Sequence, residues 1–166
     1  MSDESPIAKS TDTADRYASA RELLENCNIA DIRPVHIEAN LTSPITRKYS
    51  KVGFDSTLEH AVGPGVFRNR FGFKFALADD DDESVAELGF VLIVEWAVEE
   101  GYTPSAEAAE YVAQTTGYFA AYPYVRELAQ SNAARLGLDP LVLGILNRDE
   151  TRPNAVRSAH RITDND

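Results

Sequence analysis

The side chains best suited to chemistry are few in this sequence and lie far apart. Histidine transfers protons and binds metals near neutral pH, and the chain has His36, His60 and His160, whose spacing matches no metal-ligand pattern. Cys27 follows a predicted helix and has no histidine near it in sequence to activate a thiolate nucleophile. We therefore expect no catalytic residue and no bound metal, and we interpret His36 and His60 as ordinary strand residues.

Two short motifs have compositions that elsewhere bind phosphate or calcium. The Gly63-Pro64-Gly65 turn joins two predicted strands and lacks the Lys-Ser/Thr that follows a phosphate-binding loop. The acidic run from Asp79 to Glu83 lacks the spaced oxygen ligands and the glycine of a calcium loop, so we interpret it as a solvated turn. No cofactor is expected at either place.

Composition restricts the class of protein and its partners. The 166 residues are enough for one domain that buries about two thirds of its unfolded surface. The formal net charge of −11, from 27 acidic and 16 basic residues, disfavours nucleic acids and anionic membranes as partners. A single cysteine and a start unlike a signal peptide predict a reducing, cytoplasmic location. No uncharged run approaches the ~18 residues of a membrane span, so we expect no membrane insertion.

Alternating apolar and polar residues predict four β-strands in the first two thirds of the chain. The predicted strands cover residues 32–41, 52–62, 67–77 and 85–99. Pro34 places the first one near a strand start or a sheet edge, and a long crossing loop joins it to the second. The short links between the last three strands predict an antiparallel sheet with one wholly apolar face.

Helical patterns flank the strands. A leading helix is predicted over residues 13–26, and two more helices run from Thr103 to Leu136. Pro123 inside a continuous helix would cost about 3 kcal/mol, so we predict a break or kink between Gly117 and Pro123.

The fold class is therefore α+β, a four-stranded antiparallel sheet followed by packed helices. The predicted organisation is a flexible N-terminus over residues 1–12, one domain over 13–150 and a polar C-terminal tail over 151–166.

The stretch from Tyr118 to Asn147 is rich in aromatic and apolar residues and contains the uncharged run Leu141–Leu146. Together with Val91 and Ile93 on the polar face of the fourth strand, it leaves more apolar surface than one small chain readily covers. We expect association into an oligomer and grooves that bind extended polypeptide through repeated weak contacts.

The same stretch resembles the protein-export chaperone family SecB. The resemblance lies in Tyr122-Pro-Tyr-Val-Arg-Glu127, Ala134-Arg-Leu-Gly137 and Asp139-Pro-Leu-Val-Leu143, continued to Asn147, and it extends over about residues 30–150 with the strand order. It implies a homotetramer built as a dimer of dimers. It also implies a holdase that keeps unfolded preproteins from aggregating without nucleotide and passes them to the SecA motor.

The resemblance also implies site residues. Peptide-binding candidates are Ile45, Tyr49, Phe54, Leu141, Leu143, Ile145 and Leu146. Candidates for SecA docking are Glu38, Ile93 and Glu95. Candidates for the oligomer interface are Tyr118, Tyr122, Val125 and Ala129.

Several positions depart from the export pattern. Pro34 stands where the family has a docking aspartate, Arg148 replaces a phenylalanine, and Pro153 interrupts the expected lid helix. The leading helix resembles SecB-like chaperones that guard the antitoxins of toxin-antitoxin systems. We predict an export holdase, with a dedicated antitoxin chaperone or peptide-binding adaptor as the alternative. A small-molecule-binding or enzymatic domain is a third hypothesis and would need a polar pocket.

Overall fold

A computed structural model describes residues 6–45, 47–144 and 155–161, with side chains over 15–45 and 47–144. One sheet carries a layer of helices on one face. The elements in chain order are α1 (Pro6–Glu25), β1 (Cys27–Leu41), β2 (Lys51–Gly63), β3 (Val66–Ala78), β4 (Ser84–Val98), α2 (Ala106–Val112), a π-helical turn (Ala113–Gly117), α3 (Tyr118–Arg135) and β5 (Ala155–Arg161).

The strand order of the sheet is β1-β4-β3-β2-β5. The first four strands pair antiparallel, which confirms the predicted four-stranded sheet. Because β1 and β2 are not neighbours, residues 42–50 cross from one side of the sheet to the other, and we call them the crossing loop. The structure adds a fifth strand from the tail region, β5, which runs parallel to β2. An edge strand with one neighbour needs no apolar face, so the polar sequence AVRSAHR carried no strand signal.

Alternate residues of the two central strands make the core. On β3 the buried side chains occupy odd positions, and on β4 they occupy mainly even positions, so both sets face the helices. Phe67 stacks on Trp96 with ring centroids 5.2 Å apart, and Phe75 lies 6.1 Å from Phe90. Each such side chain contributes about 1.5–3 kcal/mol by leaving water, so this face fixes the sheet register.

Helix α1 begins at Pro6, earlier than the predicted residue 13. Proline suits the first helical position, and no glycine or second proline follows it before Glu25. The helix packs on α2 through buried Ala20 and Leu23, and Arg16 forms an ion pair of 2.6 Å with Glu107. Part of the N-terminal stretch that we expected to be flexible is thus helical.

Of the break or kink predicted between Gly117 and Pro123, the break is wrong: helix continues from α2 through the π-helical turn into α3, with Pro123 inside α3. The irregularity lies one turn earlier, where Thr115 Oγ1 donates a 2.7 Å hydrogen bond to the carbonyl of Tyr111. Gly117 faces β3 so closely that a Cβ there would lie 2.7 Å from Asn69 Oδ1. Glycine is required here by close contact with the sheet.

Among the described residues, none of the helices combines the length and apolarity that crossing a membrane requires.

Candidate functional site

The crossing loop is fastened to the segment that follows α3. Tyr49 Oη donates to the carbonyl oxygens of Asp139 (3.3 Å) and Pro140 (3.0 Å), and Arg47 donates to the carbonyl of Leu136. Gly137 ends the helix in the left-handed region at φ +70°, where a side chain would also meet Arg47. We call residues 138–144 the post-helix segment. The loop and this segment therefore form one corner of the molecule.

Leucines anchor the post-helix segment, while one valine remains exposed. Leu138 and Leu141 are buried, and Leu143 packs against the core. Val142 is 73% exposed, and Tyr122 Oη holds the end of the segment by a 3.1 Å bond to the carbonyl of Gly144. Leu141 was predicted to bind peptide but is buried, and the exposed residue of the run is Val142, because an uncharged run without a period does not separate the two. The candidates Ile145 and Leu146 lie outside the described residues.

This corner exposes further apolar side chains. Ile45 on the crossing loop is 91% exposed, and Val52 and Phe54 on β2 are 44% and 41% exposed. The Phe54 ring packs on Phe75 with centroids 5.1 Å apart, which holds it in place at the surface. We call Ile45, Val52, Phe54 and Val142 the apolar corner.

An open strand edge lies beside the apolar corner. β5 pairs with β2 only between Thr57 and Val62, so the edge from Lys51 to Ser56 has no neighbour in the part of the chain that the structure describes. Unpaired backbone donors and acceptors on a strand edge can pair with an added strand. Three of the predicted peptide-binding residues, Ile45, Tyr49 and Phe54, lie at this place. The Tyr49 hydroxyl joins the crossing loop to the post-helix segment.

The predicted docking residues lie on the sheet face away from the helices, where Ile93 and Glu95 are two residues apart on β4 and Glu38 is more distant. Glu38 is in register with Gly89, four residues along β4 from Ile93, or roughly 13 Å. Glu95 forms ion pairs with Arg68 (2.6 Å) and Arg33 (3.7 Å), which offset its charge within the chain. A basic partner would find little free acidic charge at Glu95.

The predicted oligomer-interface residues face the chain's own sheet. Tyr118, Val125 and Ala129 are fully buried, and the ring of Tyr118 meets Phe71 edge-on at 5.8 Å. Burial raises the pKa of Tyr118 to about 12, against an opposing effect of Ser56. These three side chains offer no contact surface to a second chain in this conformation. Tyr122 is half-buried, and the exposed aromatic residues of α3 are Phe119 and Tyr124.

The structure has two further concave places, one beside α1 and one that borders the apolar corner at Phe54. A cleft of about 640 Å³ separates α1 from the π-helical turn and is lined by Tyr17, Leu24 and Phe119 among others. A depression of about 460 Å³ lies on the face away from the helices, where Gly53 and Gly89 leave space between Glu38 and Lys74. Neither contains a set of groups arranged for catalysis.

Burial shifts the pKa values of Cys27 and His60. Burial raises the pKa of the Cys27 thiol to about 11, which keeps it protonated and a poor nucleophile at neutral pH. His60 is buried, and desolvation lowers its pKa despite the opposing charge of Glu110. Among the described residues, no group of three or more His, Cys, Asp and Glu side chains could hold a metal ion.

The chain is similar to known proteins in sequence and in fold. No family model matches it. Two curated proteins of Mycobacterium tuberculosis, the SecB-like chaperones Rv1957 (strain H37Rv) and MT2006 (strain CDC 1551 / Oshkosh), are each 38% identical to it over 71 residues. The match covers 42% of this chain and 39% of each relative, so it spans about two fifths of their length.

A structural relative covers more of the chain. It is the Mycobacterium tuberculosis Rv1957 SecB-like chaperone in complex with a ChAD peptide from the Rv1956 HigA1 antitoxin. The TM-score is 0.67 at 28% sequence identity, and the match covers 79% of this chain and 98% of that one. The sequence match and the similarity of fold point to the same protein. The chain therefore resembles SecB-like chaperones in both sequence and fold.

Proposed function

We propose that this protein is a chaperone dedicated to an antitoxin, and that it binds an extended apolar segment of that antitoxin at the apolar corner. The proposal rests on the structural similarity to Rv1957. That structure contains an antitoxin peptide, and the match covers 98% of the Rv1957 chain. The long leading helix α1 also supports the proposal, because a leading helix resembles the SecB-like chaperones that guard antitoxins.

The geometry of the corner suits an extended segment. A peptide added to the Lys51–Ser56 edge would form backbone hydrogen bonds, which hold any sequence, and alternate side chains would meet Val52 and Phe54. Each 100 Å² of apolar area removed from water contributes about 2.5 kcal/mol before the cost of ordering the peptide. Two or three apolar anchors at alternate positions would therefore give a specific but reversible complex.

A general holdase for unfolded preproteins is the second candidate. The side chains of the apolar corner are apolar and make no directional hydrogen bonds to a bound chain. Contacts of this kind favour the binding of many different sequences. Delivery to SecA has less support, because the charge of Glu95 is offset by Arg68 and Arg33.

A peptide array separates the two candidates. Overlapping 13-residue peptides from the ChAD region of the HigA1 antitoxin, which the relative Rv1957 binds, and from unrelated unfolded proteins would be probed with the purified protein. An antitoxin chaperone binds one short apolar motif at least tenfold more strongly than the other peptides. Even binding across unrelated apolar peptides would favour the general holdase, and no binding would contradict both.

We also propose assembly into a homotetramer, arranged as a dimer of dimers. β1 forms the sheet edge opposite β5 and exposes Ile29, Val35 and Ile37, and α3 exposes Phe119 and Tyr124. A second chain that pairs with β1 would cover the open edge and the apolar side chains of β1, and the exposed aromatic residues of α3 offer a second apolar surface for association. Light scattering should give four times the mass of one chain, and Ile37→Lys should lower it. A monomeric mass for the unaltered protein would contradict this proposal.

A further inference from the structure

We propose that β5, the protein's own C-terminal strand, competes with the bound segment for the edge of β2. This inference rests on the proposed function, because it concerns the regulation of the same site. β5 occupies Thr57 to Val62 on the edge of β2 that β3 does not use, and the open part from Lys51 to Ser56 continues that edge. The same edge of β2 therefore pairs with β5 along one part and, in the proposed function, with the bound segment along the other.

The length of the edge decides when the two ligands meet. The open part has six residues and is roughly 20 Å long, whereas all of β2 is roughly 43 Å long. A bound segment of up to about six residues fits beside β5, and a longer extended segment must displace it. Occupation by β5 thus favours short motifs over long unfolded stretches, which is the distinction between a dedicated partner and a general client.

β5 is held weakly enough to be displaced. It has seven residues, pairs with one neighbour only, and pairs parallel, which is less stable per residue than antiparallel pairing. Its register also shifts opposite Glu59 and Ala61, which interrupts the ladder. By comparison, β4 pairs with β1 and β3 over most of its length.

Competition of this kind lowers apparent affinity without changing any contact of the bound segment. The apparent dissociation constant is the intrinsic constant divided by the fraction of molecules in which the edge is free. If β5 is docked in about nine molecules of ten, its removal tightens the binding of a long unfolded chain about tenfold.

The test uses a full-length variant with prolines at two adjacent positions of β5, Val156→Pro and Arg157→Pro. Successive N–H groups of a strand point to opposite sides, so one of the two prolines removes a donor directed at β2. Thr163→Pro, beyond β5, is the matched control, and a chain that stops after Asn154 is a second variant. The probe is fluorescein-labelled, reduced and carboxymethylated lactalbumin, which stays unfolded, and binding is followed by fluorescence anisotropy.

We expect the double-proline variant and the shortened chain to bind the probe about tenfold more tightly than the unaltered protein, with Thr163→Pro unchanged. A synthetic peptide of residues 155–161 should weaken the binding by the shortened chain. Equal or weaker binding by both variants would overturn the competition and leave the proposed function standing. Absence of probe binding by every form would also overturn this inference, whereas the proposed function fails only if the antitoxin peptides of the array do not bind either.

Discussion

At the scale of single residues, neighbouring positions on one strand face have different roles. Phe54 and Leu58 lie on the same face of β2, yet Phe54 is exposed and Leu58 is fully buried. The helix layer covers the second half of β2 and leaves the first half open. The alternation of apolar residues therefore identifies the face, and only the position of the helices identifies which residues are free to bind.

Val142→Asp tests the apolar corner. Because Val142 is largely exposed, the substitution should change the free energy of unfolding by no more than about 0.5 kcal/mol. A charge within an apolar contact should weaken binding of the antitoxin peptide about tenfold or more, measured by calorimetry. Leu24→Asp, an exposed apolar position on α1, is the matched control and should bind normally. Equal losses in both variants would show a general effect of charge.

Gly117→Ala tests the close contact between the π-helical turn and β3. The added Cβ would lie 2.7 Å from Asn69 Oδ1 and 3.3 Å from Phe71 Cζ, and Asn69 accepts a 2.8 Å bond from Trp96 Nε1. We expect a loss of about 1–3 kcal/mol in the free energy of unfolding, measured by urea denaturation. Gly144→Ala, where a Cβ meets no described atom within 4 Å, should be neutral. A neutral Gly117→Ala would mean that the helix is not so close to the sheet.

His60 should make stability depend on pH. Burial lowers the folded-state pKa of His60 below its ordinary value of 6.5, so the unfolded chain binds the proton first as pH falls. The contribution of neutral His60 is complete above pH 6.5 and is lost as pH falls below it, by at most about 1.4 kcal/mol per pH unit. Urea denaturation at pH 7.5 and 5.5 should show a smaller loss for His60→Gln than for the unaltered protein. Parallel losses in the two proteins would exclude His60 as the source.

At the scale of elements, the crossing loop and the post-helix segment support each other although 90 residues separate Tyr49 from Asp139. The Tyr49 hydroxyl joins them through two backbone carbonyls, and Arg47 adds a third contact at the end of α3. Neither segment has regular secondary structure over its described residues apart from turns and bends, so these bonds determine the shape of the apolar corner.

Tyr49→Phe should loosen this corner. Loss of the hydroxyl should lower the free energy of unfolding by about 1 kcal/mol and speed amide hydrogen exchange in residues 138–144. Tyr124→Phe, which alters an exposed tyrosine of α3, is the matched control and should leave exchange unchanged. If both variants exchange alike, Tyr49 does not fasten the loop.

The sequence predicted the four main strands because their apolar residues alternate strongly, as in Phe71, Phe73 and Phe75. It did not predict the register shift near Pro34 in β1, because such shifts depend on the pairing with β4. The stripe from Tyr118 to Ala129 had a clear helical period. Periodicity does not tell whether a stripe faces its own sheet or another chain, and here it faces the sheet.

At the scale of the whole molecule, the sheet has two different edges. β1 is a long edge strand with exposed apolar residues, which suits pairing with a second chain, whereas β2 is half covered by β5 and lies beside the apolar corner. The acidic charge of the chain, −11, disfavours indiscriminate association between copies. The proposed assembly and the proposed client binding would then use opposite edges, so one need not block the other.

Hydrogen exchange with and without the antitoxin peptide tests the central claim most directly, because it locates the bound segment on the backbone. Binding at the proposed site should slow exchange in Lys51–Ser56, the crossing loop and residues 138–144. Exchange around Tyr17, Leu24 and Phe119, in the cleft beside α1, should not change. Protection confined to that cleft, or to the outer face near Glu38 and Lys74, with Lys51–Ser56 unaffected, would contradict it.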